Sequence, residues 1–290
     1  MIELVVIGIV NACIYIILAS GFGLLVSVSR VLNLAYTAYY MLAAYLLYYL
    51  SVAVGLPLWS SVVLSLLGVI VFGLIVDLAT KPVLGNRLVY LVVTLIVALL
   101  LSKVLYSITG KLSPTFYLLL PSLVPGYIEI SNSRIPLQYL LSLGAAVMVL
   151  IIFWFIEYKT SLGLLLRASA SDRELANLLG INEKKIILFS NTLATLLAGI
   201  AGVIIAPMYA IEATMWLHPL LILLAITILG GIGSFSGSLV AAVLFATIET
   251  GVVIITPEAS FLREPVAMAA ALLFLLFKPT GIRGVEVGGE

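Results

Sequence analysis

Very few side chains in this sequence could take part in catalysis. The chain contains one histidine, His218, and one cysteine, Cys13. His218 precedes Pro219 at the edge of an apolar segment with no carboxylate beside it, which favours an interfacial histidine over a general base or a metal ligand. Cys13 lies in an apolar run, so the sequence offers neither a disulfide framework nor a thiolate zinc site. We therefore predict no enzyme activity, no metal and no cofactor.

The only Gly-Lys pair does not form a nucleotide-binding loop. Gly110-Lys111 is followed by Leu112, where a P-loop needs serine or threonine, and Leu105 stands where the first glycine belongs. The sequence therefore predicts no ATP site in this chain.

One carboxylate lies in the middle of an apolar segment. Glu249 occurs in AAVLFATIETGVVII, and a charge at the centre of a bilayer costs about 2.5 to 3.5 kcal/mol or more. Such a residue either faces a water-filled path or, when protonated, bonds to a neighbouring helix, and we favour the path. An alternative for the whole protein follows, namely a secondary transporter or channel in which Glu249 binds a proton or cation.

The segment 158–185 carries eight charged residues between two nearly pure apolar runs. Within it, Ser171 and Glu174 have the spacing of a capping box, which predicts that a helix starts there. Gly180 can close that helix in the left-handed conformation. A two-turn helix is stable only if its apolar face docks on a partner. The leucines that form this face are Leu175, Leu178 and Leu179.

A glycine cluster, Gly230-Gly231-Ile232-Gly233-Ser234-Phe235-Ser236-Gly237, separates two apolar segments. No strand precedes it, so its context excludes a dinucleotide fingerprint. Glycines permit a tight reversal and a close approach of two backbones. Two interpretations remain open: a turn between helices, or a hinge with opened backbone beside a substrate path.

The composition is that of an integral membrane protein. Of 290 residues, 63% are hydrophobic and 9% charged, whereas soluble domains have about 25% charged residues. Lys and Arg are scattered rather than gathered in a basic face, which excludes nucleic acid as a partner. We predict an all-α transmembrane bundle of nine spans, with eight possible. The spans lie near 4–28, 33–54, 57–77, 88–107, 137–157, 186–207, 216–230, 237–256 and 264–278.

The distribution of Lys and Arg predicts the orientation, because cytoplasmic loops carry the excess of these residues. Nine spans with the N-terminus outside place ten of them in the cytoplasm and four outside. The C-terminus is then cytoplasmic. The cytoplasmic set is Arg30, Lys81, Arg87, Lys159, Arg167, Arg173, Lys184, Lys185, Lys278 and Arg283, and the external set is Lys103, Lys111, Arg134 and Arg263.

We expect a single transmembrane domain over 1–278 and a cytoplasmic tail over 279–290. The external loop 107–136 is cut by four prolines and cannot be helical throughout. Within it, Tyr127-Ile128-Glu129-Ile130 followed by Ser131-Asn132-Ser133 predicts a strand and a turn. This loop could dock an external partner or serve only as a connection.

Four stretches of the sequence resemble the branched-chain amino-acid permeases of ABC importers. The resemblance covers essentially the whole chain and is closest to the shorter of the two permease subunits. The stretches, in the family's order, are Arg30–Ala35, the segment Thr160–Asn182 with Gly163, Arg167, Ala168, Asp172, Ala176 and Gly180, then Leu229–Ser234, and finally Lys278–Gly281.

The resemblance implies a permease subunit in a plasma membrane, without its own ATPase. Its partners would be two cytoplasmic ABC ATPases, a second permease and an external binding protein. Segment 158–185 would be the coupling loop, in which Arg167, Asp172 and Arg173 orient the docking of the leucine face. The translocation path would include Asn33, Tyr36, Gly230, Gly231, Gly233 and Glu249.

The sequence departs from the family at one place. After Asn33 the family usually has Phe-Ala-His-Gly, and this chain has Leu34-Ala35-Tyr36-Thr37. The departure bears on the cargo, since similar permeases carry urea and short amides and more distant ones carry sugars. Branched-chain or other hydrophobic amino acids are the cargo that the resemblance favours, with urea, short amides or another small polar solute as the alternative.

Overall fold

The computed structural model describes residues 2–112, 117–121, 126–130, 133–171, 183–231, 234–256, 258, 262–278 and 281–282. Almost all of these residues are helical, and the described residues also form one two-stranded antiparallel sheet, a hairpin. The helices are α1 (Ile2–Ser29), α2 (Tyr36–Tyr48), α3 (Leu58–Thr80), α4 (Arg87–Leu112), α5 (Leu137–Lys159), α6 (Ser161–Ser171), α7 (Glu183–Ile205), α8 (Leu217–Gly230), α9 (Phe235–Ile255) and α10 (Arg263–Phe277).

Six of these helices are long and apolar enough to cross a membrane, namely α1, α3, α4, α5, α7 and α9. The apolar helices α8 and α10 are shorter, and α2 has 13 residues. Each predicted span nevertheless coincides with a helix to within a few residues, and the second is shorter than predicted because α2 passes into a π-helical turn at Tyr49–Ala53. The protein is an all-α polytopic membrane protein.

Helix α2 occupies the middle of the bundle. Eleven of its 13 residues are buried, and it packs against α3, α4, α7 and α8. A helix that is hydrophobic all round belongs inside a bundle. Gly202 of α7 permits the closest of these contacts, because any side chain there would overlap the backbone of Tyr40. The tyrosines Tyr36, Tyr39, Tyr40 and Tyr45 are all buried and fill this core.

Opposite ends of the bundle differ in composition. Helices α1 and α9 run antiparallel, since Gly8 near the start of α1 adjoins Thr250 near the end of α9. The end where α1 finishes and α9 begins is called the basic end; it carries Arg30, Lys81, Arg87, Lys159, Arg167, Lys185 and Lys278.

The opposite end is called the hairpin end. The strands β1 (Tyr127–Ile130) and β2 (Ser133–Pro136) pair there, as the sequence predicted for Tyr127–Ile130. A backbone bridge between Leu118 and Ile211 closes this end, with hydrogen bonds of 3.0 and 2.8 Å between the two residues. The connections that precede α5 and α8 therefore lie together.

Candidate functional site

The first part of the predicted coupling loop is a helix packed tightly against the end of α5. The hydroxyl of Thr160 accepts a hydrogen bond from the Gly163 amide at 3.2 Å and donates one to the Ile156 carbonyl at 2.6 Å. A Cβ at Gly163 would overlap the carbonyl oxygen of Glu157 and lie 2.5 Å from its carbonyl carbon. Gly163 therefore permits the sharp corner between α5 and α6.

Arg167 fastens α6 to that corner. Its guanidinium donates to the backbone carbonyl of Glu157 and lies 5.1 Å from the centre of the Tyr158 ring, a cation–π distance. The side chain of Glu157 is buried beside it. Arg167 thus makes intramolecular contacts that would fix the direction in which α6 presents the rest of the loop. Ala168, the next residue, is half-buried.

Arg30 ties the far end of α6 to α1. It ends α1 with φ 55°, a left-handed conformation that a helix commonly adopts at its C-terminus, and its amide donates to the Val26 carbonyl at 2.9 Å. Its guanidinium donates to the Ala170 carbonyl at 3.4 Å. Two of the four stretches that carry the family resemblance therefore touch each other.

The other two stretches also touch. The amide of Ile282 donates to the Leu229 carbonyl at 2.8 Å, and Lys278 donates through Nζ to the Ile282 carbonyl at 3.0 Å. Gly281 has φ 79°, and a Cβ on it would lie 2.6 Å from the Gly231 nitrogen. Gly281 and Ile282 are thereby packed against the end of α8, at the basic end.

The described glycines of the cluster bring the end of α8 and the start of α9 close together. Gly231 ends α8 with φ 96°, and the side chain of Ser234 caps α9 by accepting from the Gly237 amide at 3.1 Å. Side chains at Gly230 or Gly237 would each overlap the backbone of the other. The approach of the two backbones explains why both positions are glycine.

Two predicted path residues lie in the core around α2. Asn33 is buried, and its side-chain oxygen accepts from the Ala35 amide at 3.0 Å. Tyr36 is fully buried, donates to the Leu18 carbonyl at 3.0 Å, and packs on Phe22 with ring centres 5.4 Å apart. Both residues brace the start of α2 against its surroundings.

Glu249 lies beside a basic residue. Arg263 Nε, at the start of α10, is 3.7 Å from Glu249 Oε1, and the glutamate side chain is 7% exposed. The contact joins α9 to α10. The arginine gives this carboxylate a basic neighbour within an otherwise apolar helix.

Several predicted site residues lie outside the described residues. They are Asp172, Arg173, Leu175, Ala176, Leu178, Leu179 and Gly180 of the coupling segment, and Gly233 of the glycine cluster. Their predicted roles stay predictions.

Sequence reasoning missed two features of this end. The sequence predicts a loop where α6 lies, although Gly163, Leu166 and Ser169 recur every three residues and all are buried. Asp77 ends the third predicted span, but in the structure α3 continues to Thr80, so that Asp77 lies within the helix. The Asp77 carboxylate accepts from Asn191 Nδ2 at 3.1 Å.

These features define a polytopic helical membrane protein with a compact arrangement of loops at its basic end. The chain belongs to the family described as branched-chain amino acid transport system, permease component, which matches residues 4–278. Members of this family are permease subunits of ABC transporters.

Individual relatives agree with this assignment. The chain is 27% identical to the high-affinity branched-chain amino acid transport system permease protein BraD of Pseudomonas aeruginosa, over 93% of this chain and 91% of BraD. It is 29% identical to the galactofuranose transporter permease protein YtfT of Escherichia coli, over 44% of this chain and 40% of YtfT. The solved structure of PsaBC from Streptococcus pneumoniae in complex with Fab has a similar fold, with a TM-score of 0.50 at 16% identity, covering 93% of this chain and 88% of that one.

Proposed function

We propose that this protein is the translocating subunit of an ATP-driven importer for branched-chain or other hydrophobic amino acids. It would pair with a second, homologous permease, with two cytoplasmic ABC ATPases, and with an external solute-binding protein. The family and the name of the relative BraD support this cargo. The relative YtfT, named for a sugar, illustrates that cargo varies within the family, so urea, short amides or another small polar solute are the alternative.

The observation that carries the proposal is the convergence of four stretches at the basic end. Arg30 contacts Ala170, and Leu229 contacts Ile282. The stretches come from distant parts of the chain, and together they would form the surface that faces the ATPases. The coupling segment 172–180 continues directly from α6, whose base is fixed on α5 and α1.

In the proposed mechanism, closure of the ATPase pair moves the membrane helices through α6. The short helix from Ser171 to Leu179 sits in a cleft of the ATPase, with its leucine face as the apolar anchor. Asp172 and Arg173 orient the docking by charge. Movement of the ATPases displaces α6 as a rigid body, because α6 packs against α1, α5 and α7. The attached helices then switch the path from outward to inward access.

We further propose nine spans in the plasma membrane, with the basic end and the C-terminus cytoplasmic. The helices α8 and α10 are apolar and α2 is buried in the bundle, which supports counting all three as spans. The excess of Lys and Arg at the basic end supports the orientation. Residues 1–278 form one transmembrane domain, and 279–290 form the tail.

The hairpin end is the proposed surface for the binding protein. Tyr127 and Ile128 of β1 are 55% and 39% exposed, and exposed aromatic residues are frequent anchors of protein interfaces.

The path is proposed to pass Asn33, Tyr36 and the glycine cluster Gly230, Gly231 and Gly233, with Glu249 near it. The carboxylate of an amino acid would meet the positive end of a helix near Gly231 or Gly233. Unchanged uptake in Gly233→Leu would count against this part of the proposal.

The coupling assignment is tested by Leu178→Asp, which places a charge on the docking face. We expect uptake to be abolished while the chain still accumulates in the membrane. Asn177→Asp is the matched control, since it adds the same charge to another face of the predicted helix. Normal uptake by Leu178→Asp would remove the coupling assignment.

A further inference from the structure

Asp77 of α3 is the acidic member of a polar cluster between four helices. Its carboxylate accepts from Asn191 Nδ2 of α7 at 3.1 Å. Tyr39 of α2 and Tyr90 of α4 lie within electrostatic reach of it, and their hydroxyls adjoin the Asn33 side chain. Asp77 lies within the candidate membrane span Leu58–Val83, on its basic-end side.

Asp77 lacks the kind of partner that Glu249 has. In the described part of the chain, no basic side chain forms an ion pair with it, whereas Glu249 lies 3.7 Å from Arg263. Tyr39 and Tyr90 are the titratable groups that face Asp77 from α2 and α4, and α7 presents the amide of Asn191. Lys81, which directly follows the end of α3, is exposed and makes no ion pair with Asp77.

The amide of Asn191 gives a second, independent observation. Asn191 is 4% exposed, and its Oδ1 atom is buried without a hydrogen-bond donor among the described residues. Exchanging the positions of the Asn191 oxygen and nitrogen would not give Oδ1 a donor, because Oδ1 would then face the carboxylate, which is also an acceptor. The amide that donates to the Asp77 carboxylate therefore also carries a buried oxygen acceptor that has no donor.

A proton on Asp77 satisfies both groups. A protonated carboxyl group has one O–H donor and one free acceptor, and a primary amide has the complementary pair. Asn191 Nδ2 would donate to one carboxyl oxygen while the other donates its proton to Asn191 Oδ1. A metal ion would need more oxygen ligands, and the nearby Asn33 Oδ1 is already bonded to the Ala35 amide.

We propose that Asp77 and Asn191 form a proton-binding site, in which Asp77 is a neutral carboxylic acid joined to the amide by two hydrogen bonds. The proton is held between α3 and α7. Deprotonation breaks one of the two bonds and leaves two acceptors together, so the contact between these helices weakens as the pH rises. The site is independent of the cargo and of the ATPase partners.

The test is infrared spectroscopy of the purified full-length chain in lipid nanodiscs, with ¹³C in the aspartate carboxyl groups. At neutral pH we expect a protonated-carboxyl carbonyl band that carries the isotope shift and is lost in Asp77→Asn. The variant preserves the site, because a second amide can form the same two hydrogen bonds. Glu249→Gln is the matched control and should leave the band in place.

A second readout is the SDS concentration at the unfolding midpoint of the purified chain, measured as a function of pH. It should fall as the pH rises through the titration of Asp77 in the wild type, and this part of the pH dependence should be absent in Asp77→Asn. The proposal is overturned if Asp77→Asn removes a carboxylate band instead of an acid band at neutral pH. A carboxylate band from Asp77 that shifts when sodium replaces choline would also overturn it, in favour of an alkali-ion site.

Discussion

Replacing Gly163 by alanine tests whether the corner between α5 and α6 is as tight as its geometry indicates. The added Cβ would overlap the carbonyl oxygen of Glu157 and lie 2.5 Å from both the Glu157 carbonyl carbon and the Ile156 carbonyl oxygen. These are backbone atoms, so no side chain can rotate away, and α6 itself must move.

Gly144, in the same region of the chain, supplies the control. It lies within α5, and a Cβ there would meet no atom within 4 Å. Alanine stabilises an unstrained helix by about 1 kcal/mol relative to glycine, while overpacking destabilises a protein by about 1 to 3 kcal/mol. The propensity gain is common to both substitutions, so Gly163→Ala should be less stable than Gly144→Ala by about 1 to 3 kcal/mol.

The assay is unfolding of the purified chain in mixed detergent micelles, with increasing SDS as denaturant. In the assembled importer, Gly163→Ala should also lower the stimulation of ATP hydrolysis by cargo, because a displaced α6 presents the coupling segment wrongly. Equal stability and equal stimulation in the two variants would refute the tight corner.

Two further contacts give predictions of the same kind. Gly281→Ala should be less stable than Gly55→Ala by about 1 to 3 kcal/mol in the same unfolding assay. Both glycines have positive φ, but only the Cβ at position 281 would meet the Gly231 backbone. Equal stabilities of the two variants would exclude that contact. Arg263→Met should destabilise by less than the roughly 3 to 5 kcal/mol expected for breaking a fully buried pair, since Arg263 is 31% exposed, and adding Glu249→Gln should recover most of the loss; no recovery would contradict their pairing.

Hydropathy predicted the helices because apolar length is a local property. Every predicted span corresponds to a helix in the structure, including the short α8 and α10. Hydropathy could not distinguish the buried α2 from its lipid-facing neighbours, since lipid and a protein core both select apolar residues. Only the run of tyrosines from Tyr36 to Tyr49 hinted that α2 is special.

The site was harder to predict than the helices. The meeting of Arg30 with Ala170, and of Leu229 with Ile282, depends on contacts between residues more than 50 positions apart. Sequence spacing carries no information about such contacts, and the family resemblance supplied the stretches without their arrangement. Asp77 was missed for a local reason, because a charged residue at the edge of an apolar run is normally interfacial.

Assembly is the most direct test of the central claim, that this chain is one subunit of an ATP-driven importer. The measurement is native mass spectrometry of the complex, gently solubilised from its own host through a tag on this chain. We expect an ATPase pair and a second permease to be recovered with it. Recovery of this chain alone, or as a plain homo-oligomer, would exclude the importer assembly, and the Ser171–Leu179 segment would then have no partner.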